Sequence, residues 1–353
     1  MGKTRKMVLI LLTLVMISSF AGCAGGSGGK GSRKSITVYN WGDYIDESVT
    51  KDFEKKYGIH VTYETFATNE DMYVKLKAGG IHYDVIFPSD YMVARLIREG
   101  MLQKIDLKKI PNYKYIGEEY KDLAYDPDNE YSVPYMWGTV GILYNTTMVK
   151  EPVDSWDILW DRKYKKNIFM LDSQRDSIAV ALKKLGYSLN TRDKMELKAA
   201  RKELIRQKPL VLSYLGDEVK DKMISGEAAM AVVWSGDAVY TMKENPHLAY
   251  AVPKEGTNLW YDAMCIPKSS KNRKEAEAFI NYMNDPDIAL RNTEYIGYST
   301  PNTGAFEKLD EETKSDATAY PDNQSLKDSE VFEDLSDIIS TYNRIWDEIK
   351  AAQ

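Results

Sequence analysis

Three short stretches place an aromatic ring and a carboxylate where an apolar run ends. "VYNWGDY" carries Trp41, Asp43 and Tyr44, "VIFPSDY" carries Ser89, Asp90 and Tyr91, and "VVWSGDA" carries Trp234, Ser235 and Asp237. A fourth, "LWYDAM", sets Trp260 and Asp262 inside a strand-like run. A ring face attracts an ammonium group by roughly 0.5–2 kcal/mol, more as water is excluded. A carboxylate adds charge-assisted hydrogen bonds to the same nitrogen, and alkyl spacers between amines suit the apolar ring surface. Rings and carboxylates together therefore make a site for an organic cation. Helix N-termini favour anions, so a cation placed there depends on the carboxylates to reverse the local sign. The aspartates also have a plainer use, because Asp or Ser before a helix caps it for about 1 kcal/mol. Capping is the expectation for Asp90 and stands level with ligand binding for Asp43 and Asp237. Asp262 differs, since no helix begins after it. Trp156, Trp160 and Trp346 also adjoin aspartates, but on helix-like segments where packing accounts for them.

The elements that position these residues follow from periodicity. "ITVYN", "IHVTYETF" and "YDVIF" read as strands. Between and after them, "DESVTKDFEKKYG", "NEDMYVKLKAGG" and "YMVARLIREG" read as helices. The first has Val49, Phe53 and Tyr57 on one stripe and Gly58 as its C-cap. This alternation predicts an α/β layer of mostly parallel strands. In open sheets of that kind, ligands bind beyond the carboxyl ends of the strands, which is where the cassettes lie. A long strand, "YSVPYMWGTVGILYN", has enough residues to pass from one domain to another. The helices "SIAVALKKLG", "KMELKAARKELIRQ" and "EVKDKMISG" follow it, then the strand "AAMAVVW". "NRKEAEAFINYMND" is an amphipathic helix with Ala276, Phe279, Ile280 and Met283 inward, and the tail from Ser329 is a closing helix or pair.

The first residues bear on compartment. Lys3, Arg5 and Lys6 precede a short apolar run, which is signal-peptide anatomy over 1–22 rather than a membrane span. Ala21 and Gly22 directly before Cys23 resemble the lipobox of bacterial lipoproteins, although Phe20 replaces the usual aliphatic residue. That resemblance implies Cys23 lipidated on sulfur and an anchor in the membrane; simple secretory cleavage is the alternative. Residues 23–34 are Gly/Ser-rich and read as a flexible tether. The protein is then extracytoplasmic, on the outer face of the cell membrane or periplasmic. Ala24 and the tether lean toward a Gram-positive envelope.

The remaining chain, roughly 320 residues, is long enough for two domains. Net charge is −6 for the whole sequence and −9 once the basic leader is removed, the reverse of a nucleic-acid binder. Cys265 is the one cysteine beyond Cys23 and sits in an apolar run, as a small buried hydrophobe would. His60, His82 and His247 lack metal-ligand spacing, and there is no HExxH motif, no P-loop and no GxSxG nucleophile elbow, that pattern occurring only within the Gly/Ser-rich tether. No catalytic residue, metal or cofactor is expected.

Taken in order, "YNWGDY", "MYVKLKAGG", "YDVIFPSDY", "VPYMWG", "VVWSGDA", "VPKEG", "LWYDAMCIPKSSKN" and "IGYSTPN" resemble the spermidine/putrescine-binding proteins of bacterial polyamine ABC importers. The resemblance runs from about Ile36 to the C-terminal helix. It implies a type II periplasmic binding protein fold, with two α/β lobes of central mixed sheets joined by crossover strands. Lobe 1 would hold 35–138 and 262–306, and lobe 2 would hold 143–258 and 311–353. Trp41, Asp43, Tyr44, Ser89 and Tyr91 would line the interlobe cleft from one side. Ser173, Asp176, Trp234 and Asp237 would face them, with Trp260 and Asp262 from near the hinge and Tyr298 from "IGYSTPN". Asp262 would be the central carboxylate and Trp260 the platform for the methylene chain. Ser173 stands where spermidine-preferring members carry a carboxylate, and Phe332 where they carry Gln, whereas "WSGD" resembles the putrescine-preferring branch. The implied partners are a polyamine and the permease subunits and ATPase of an ABC importer, with the chain a monomer. Two other readings remain: a receptor of the same fold for another organic cation, a sugar or a ferric ion, and a secreted glycan-processing enzyme using paired carboxylates.

Overall fold

A computed structural model describes residues 34–352. The expected signal peptide, Cys23 and all of the tether but Lys34 lie outside the described residues. The apolar alternation of the first cassette becomes β1 (Ser35–Trp41), with Ile36 and Val38 buried. In α1 (Glu47–Tyr57), Asp46 caps the N-terminus by accepting from the Ser48 N–H, and Gly58 ends the helix at φ 67°. Val49 and Phe53 are buried as their spacing predicts, while Tyr57 stays partly exposed. β2 (His60–Phe66), α2 (Asn69–Ala78), β3 (Val85–Ile86) and α3 (Asp90–Arg98) complete the first βαβαβα run. β1 pairs in parallel with both β2 and β3, the arrangement that helical crossovers permit.

β4 (Ser132–Asn145) follows a stretch of 3-10 turns. Beyond it come β5 (Ile168–Leu171), α4 (Gln174–Lys184), α5 (Lys194–Gln207), β6 (Val211–Leu215) and α6 (Val219–Ile224). β7 (Met230–Trp234), α7 (Ser235–Glu244), β8 (Leu248–Ala251) and β9 (Leu259–Cys265) are next. α8 (Arg273–Met283), α9 (Pro286–Ile296), α10 (Thr303–Phe306), α11 (Glu311–Ser315) and α12 (Ile339–Ala351) close the chain.

The strand order is β2-β1-β3-β9-β4-β7-β5-β6, with β8 paired to β4. Residues 132–139 of β4 pair antiparallel with β9, from Ser132↔Cys265 to Thr139↔Leu259. From Val140 onward β4 pairs instead with β7 and β8, both antiparallel. The register slips between Pro134 and Met136, where Pro134 has no N–H to give to the ladder. The result is two α/β lobes with mixed sheets, one around β2-β1-β3-β9 and one around β7-β5-β6, with β4 common to both.

The first three strands are parallel, as the alternation predicts, and the sheets as wholes are mixed. β9 and β4 run antiparallel to their neighbours, because they are brought together by long excursions rather than helical crossovers. The tail is one helix, α12, and residues before it are not helical. Its Tyr342, Ile345 and Ile349 pack on Ile178 and Leu182 of α4 and Leu197 and Leu204 of α5, each fully buried aliphatic side chain contributing about 1.5–3 kcal/mol. Cys265 is a free, fully buried thiol within β9, as its apolar neighbours predict.

Candidate functional site

The centre of the site is Asp262, carried on β9 and 5% exposed. Its Oδ2 accepts from the Tyr44 hydroxyl at 2.8 Å. Its Oδ1 is buried and finds no hydrogen-bond partner among the described residues. Burial pushes the carboxyl up to about 7, against hydrogen bonds from Ser89 and Tyr44 that favour the ionised form. Tyr44 is fixed from behind: Tyr135 donates its hydroxyl to the Tyr44 carbonyl at 2.7 Å. The Tyr44 ring meets Tyr135 and Tyr298 edge-on at 5.3 and 5.5 Å. Ser89 bridges to Asp262 through the backbone, and its hydroxyl accepts from Asn69 at 3.0 Å.

The second buried carboxylate is Asp237, in the first turn of α7. It caps nothing: the N-cap is Trp234, with no side-chain cap bond. Burial raises Asp237 to about 7, opposed by Lys220 and by the Tyr298 hydroxyl. Its Oδ2 closes no hydrogen bond among the described residues. Tyr298 lies over Gly236 so closely that a Cβ there would fall 2.2 Å from the ring. This contact explains the glycine in "WSGDA". Trp260 meets Tyr298 edge-on at 5.2 Å and is held by the Thr139 carbonyl at 3.4 Å. Gly138 leaves room for it, since a Cβ would stand 2.7 Å from the indole. Tyr44, Asp262, Trp260, Tyr298 and Asp237 thus form one connected group across both lobes.

Asp176 extends the group. It is buried, accepts from Ser173 Oγ at 2.7 Å and from Asn258 at 3.2 Å, and burial raises its pKa. Ser173 is also the N-cap of α4. Tyr91 donates to Glu70 at 3.0 Å and packs edge-on against Phe332. Trp41 is half-buried, its N–H donated to the Phe87 carbonyl at 2.8 Å and its ring against Phe66. Trp234 is half-buried at the end of β7. Asp43 caps no helix; it accepts from Lys220 at 2.8 Å. The expected cap by Asp90 is not found: Ser89 is the N-cap of α3, with no side-chain cap bond, and Asp90 instead accepts from the Tyr91 and Tyr261 backbone N–H groups, tying the α3 turn to β9.

Sequence reasoning missed Lys220, which reads as a solvated charge on a short helix. It also missed Arg175, whose guanidinium lies 5.0 Å from the Tyr91 ring and 4.3 Å from that of Phe332. Asn258 and Tyr135 had no local signal. A separate hollow of about 200 Å³ lies beside Tyr298 near Lys243, Glu294 and Tyr320, apart from the carboxylate group. Among the described residues no cluster of side chains has the makings of a metal site, and no helix is long and apolar enough to cross a membrane.

The sequence matches the bacterial extracellular solute-binding protein family over residues 48–322. The chain belongs to that family. Among members of known function, it is 37% identical over 322 residues to the spermidine/putrescine-binding periplasmic protein of Salmonella typhimurium, covering 90% of this chain and 92% of that protein. Two solved structures carry the same likeness. The spermidine/putrescine ABC transporter substrate-binding protein PotD of Streptococcus pneumoniae, in complex with calcium and HEPES, is 43% identical. It covers 90% of this chain and 98% of its own, with a TM-score of 0.78. The TpPotD lipoprotein of Treponema pallidum is 30% identical with a TM-score of 0.80, covering 90% and 99%. The fold and resemblance expected from the ordered motifs are borne out. This solute-binding protein has the type II periplasmic binding protein architecture, and its relatives are transport proteins.

Proposed function

We propose that this chain captures polyamines, spermidine or putrescine, in the cleft between its lobes and delivers them to an ABC permease coupled to its ATPase. Lobe 1 comprises 35–138 and 262–306, and lobe 2 comprises 143–258 and 311–353. Cys23 anchors the monomer by lipid to the outer face of the membrane, and residues 23–34 are its tether. The observation that carries the reading is the pair of buried carboxylates, Asp262 and Asp237, each with an oxygen awaiting a donor. They are flanked by Tyr44, Tyr298 and Trp260. An unpaired buried acceptor costs about 1–3 kcal/mol, and an alkyl polyammonium supplies donors and charge along its length. Trp260 offers an apolar face for the methylenes, while Ser89, Tyr91, Ser173, Asp176, Trp41 and Trp234 complete the walls. The chain turns nothing over, in keeping with a family of solute-binding proteins.

Tyr44 donates its O–H to Asp262 at 2.8 Å, and burial, with Asp262 beside Tyr44 and Asp237 beside Tyr298, pushes both phenols well above their usual range. Both phenols are therefore protonated in the ligand-free site. The relatives named for spermidine or putrescine support the ligand class, and the lipoprotein among them supports the anchor. Calorimetric titration with putrescine and spermidine, with mass spectrometry of small molecules that copurify, tests the reading. Heat and thermal stabilisation by at least one polyamine are expected. Absence of both for every polyamine overturns it.

A further inference from the structure

Lys220 brings an ammonium group of the protein's own into this site. It stands in the first turn of α6, on the side of the molecule carrying Asp217 and Asp237, and reaches across to the β1–α1 turn. Its Nζ donates to Asp43 Oδ2 at 2.8 Å and lies 3.9 Å from Asp237 Oδ1. The Tyr240 ring centre is 5.8 Å away. Asp217 closes the same corner: a Cβ on Gly42 would fall 2.9 Å from its Oδ2, so the two lobes touch here. The Lys220 side chain is 15% exposed. Burial disfavours its charge, but Asp237, Asp43 and Asp217 outweigh that and hold it protonated. Three carboxylates and an aromatic ring around one ammonium is the chemistry assigned above to the ligand.

We propose that Lys220 is a specificity-determining residue, its ammonium standing in for one cationic nitrogen of the ligand at the Asp43–Asp237 end of the cleft. This rests on the polyamine reading. Asp43 is well exposed, so the ion pair contributes at most about 1 kcal/mol to stability; its importance is occupancy. A ligand nitrogen reaching Asp237 must either displace Lys220 or sit beside a like charge. A diamine held at Asp262 need not reach that end, whereas the longer triamine does, so the site discriminates against the triamine relative to the diamine, whatever its starting preference. Aspartates alone would favour the ligand with more ammonium groups.

The test is calorimetric affinity for putrescine and spermidine in the wild type, Lys220→Met and Lys220→Arg, with thermal melts confirming that each is folded. Lys220→Met should raise the spermidine-to-putrescine affinity ratio at least tenfold, whereas Lys220→Arg, which keeps a cation, should leave it within about threefold of wild type. An unchanged ratio in Lys220→Met, or a weaker grip on spermidine, overturns the proposal while the polyamine reading stands. An equal rise in Lys220→Arg also overturns it, because charge would then not be the cause. If the wild type binds no polyamine, the functional reading itself has failed and this inference falls with it.

Discussion

Replacing Asp262 by Asn should stabilise the empty protein while crippling its binding. The Asp262 carboxyl is ordinarily half-ionised at 3.8, and burial raises it to about 7. Between those values the folded chain holds a proton that the unfolded chain has released. Stability therefore falls as pH rises from about 4 to 7, and is flat above. A shift of about three pKa units corresponds to roughly 4 kcal/mol at pH 8. Asparagine cannot ionise and can still accept from Tyr44. Its amide group, however, places an unpaired donor where Oδ1 now lies, costing about 1–3 kcal/mol. The net expectation is a ligand-free Asp262→Asn protein that is more stable than wild type by about 1–3 kcal/mol at pH 8. That advantage should disappear near pH 4. Its polyamine affinity should drop at least tenfold, about 1.4 kcal/mol, because the central charge is gone. Denaturant unfolding at pH 4, 6 and 8, with calorimetry at pH 8, measures both. A variant less stable than wild type at pH 8, a stability difference independent of pH, or unchanged affinity would refute the reasoning.

Trp260→Ala should weaken polyamine binding at least tenfold and destabilise the fold by about 3–5 kcal/mol through the cavity it leaves; titration at a temperature where circular dichroism shows a folded protein checks both. Asp262 and Asp237 are both raised to about 7, so polyamine affinity should fall as pH drops below 7, with protons released on binding. Calorimetry at pH 6 in buffers of different ionisation enthalpy reads that release. Gly236→Ala puts a Cβ 2.2 Å from the Tyr298 ring. It should lower stability by about 1–3 kcal/mol and reduce polyamine affinity by displacing that ring, as thermal melts and titration will report.

Local features were legible because they are locally determined. Val49, Phe53 and Gly58 announce α1 by spacing and by the C-cap, and Ala276, Phe279, Ile280 and Met283 announce α8; the inward residues of both are buried. Asp285, Pro286 and Gly297 could have announced α9, as a cap, a first-turn proline and a terminating glycine at φ 86°; the signal was present and unread. The antiparallel placement of β9 beside β3 and β4 had no such signal, because Cys265 meets Ile86 and Ser132 only after long stretches of chain. The same holds at the site. Aromatic and acidic residues together pointed to Asp237 at a strand end and to Asp262 within a strand, yet the role of Asp43 depended on Lys220, far along the chain. Read alone, each of those two residues is an ordinary surface charge. Ser173 shows the converse: one side chain both caps α4 and donates to Asp176.

β4 changes partners between Thr139 and Val140, from β9 on one side to β7 and β8 on the other. An uninterrupted strand is therefore shared by both halves, rather than a loose thread between them. Any relative rotation would twist it together with the connections near 258–262 and 306–311. The place where it would twist is also where Gly138 accommodates the Trp260 indole and Ser235 meets the Thr139 N–H. A ligand that pressed on Trp260 would therefore act on the segment that sets the angle between the two halves.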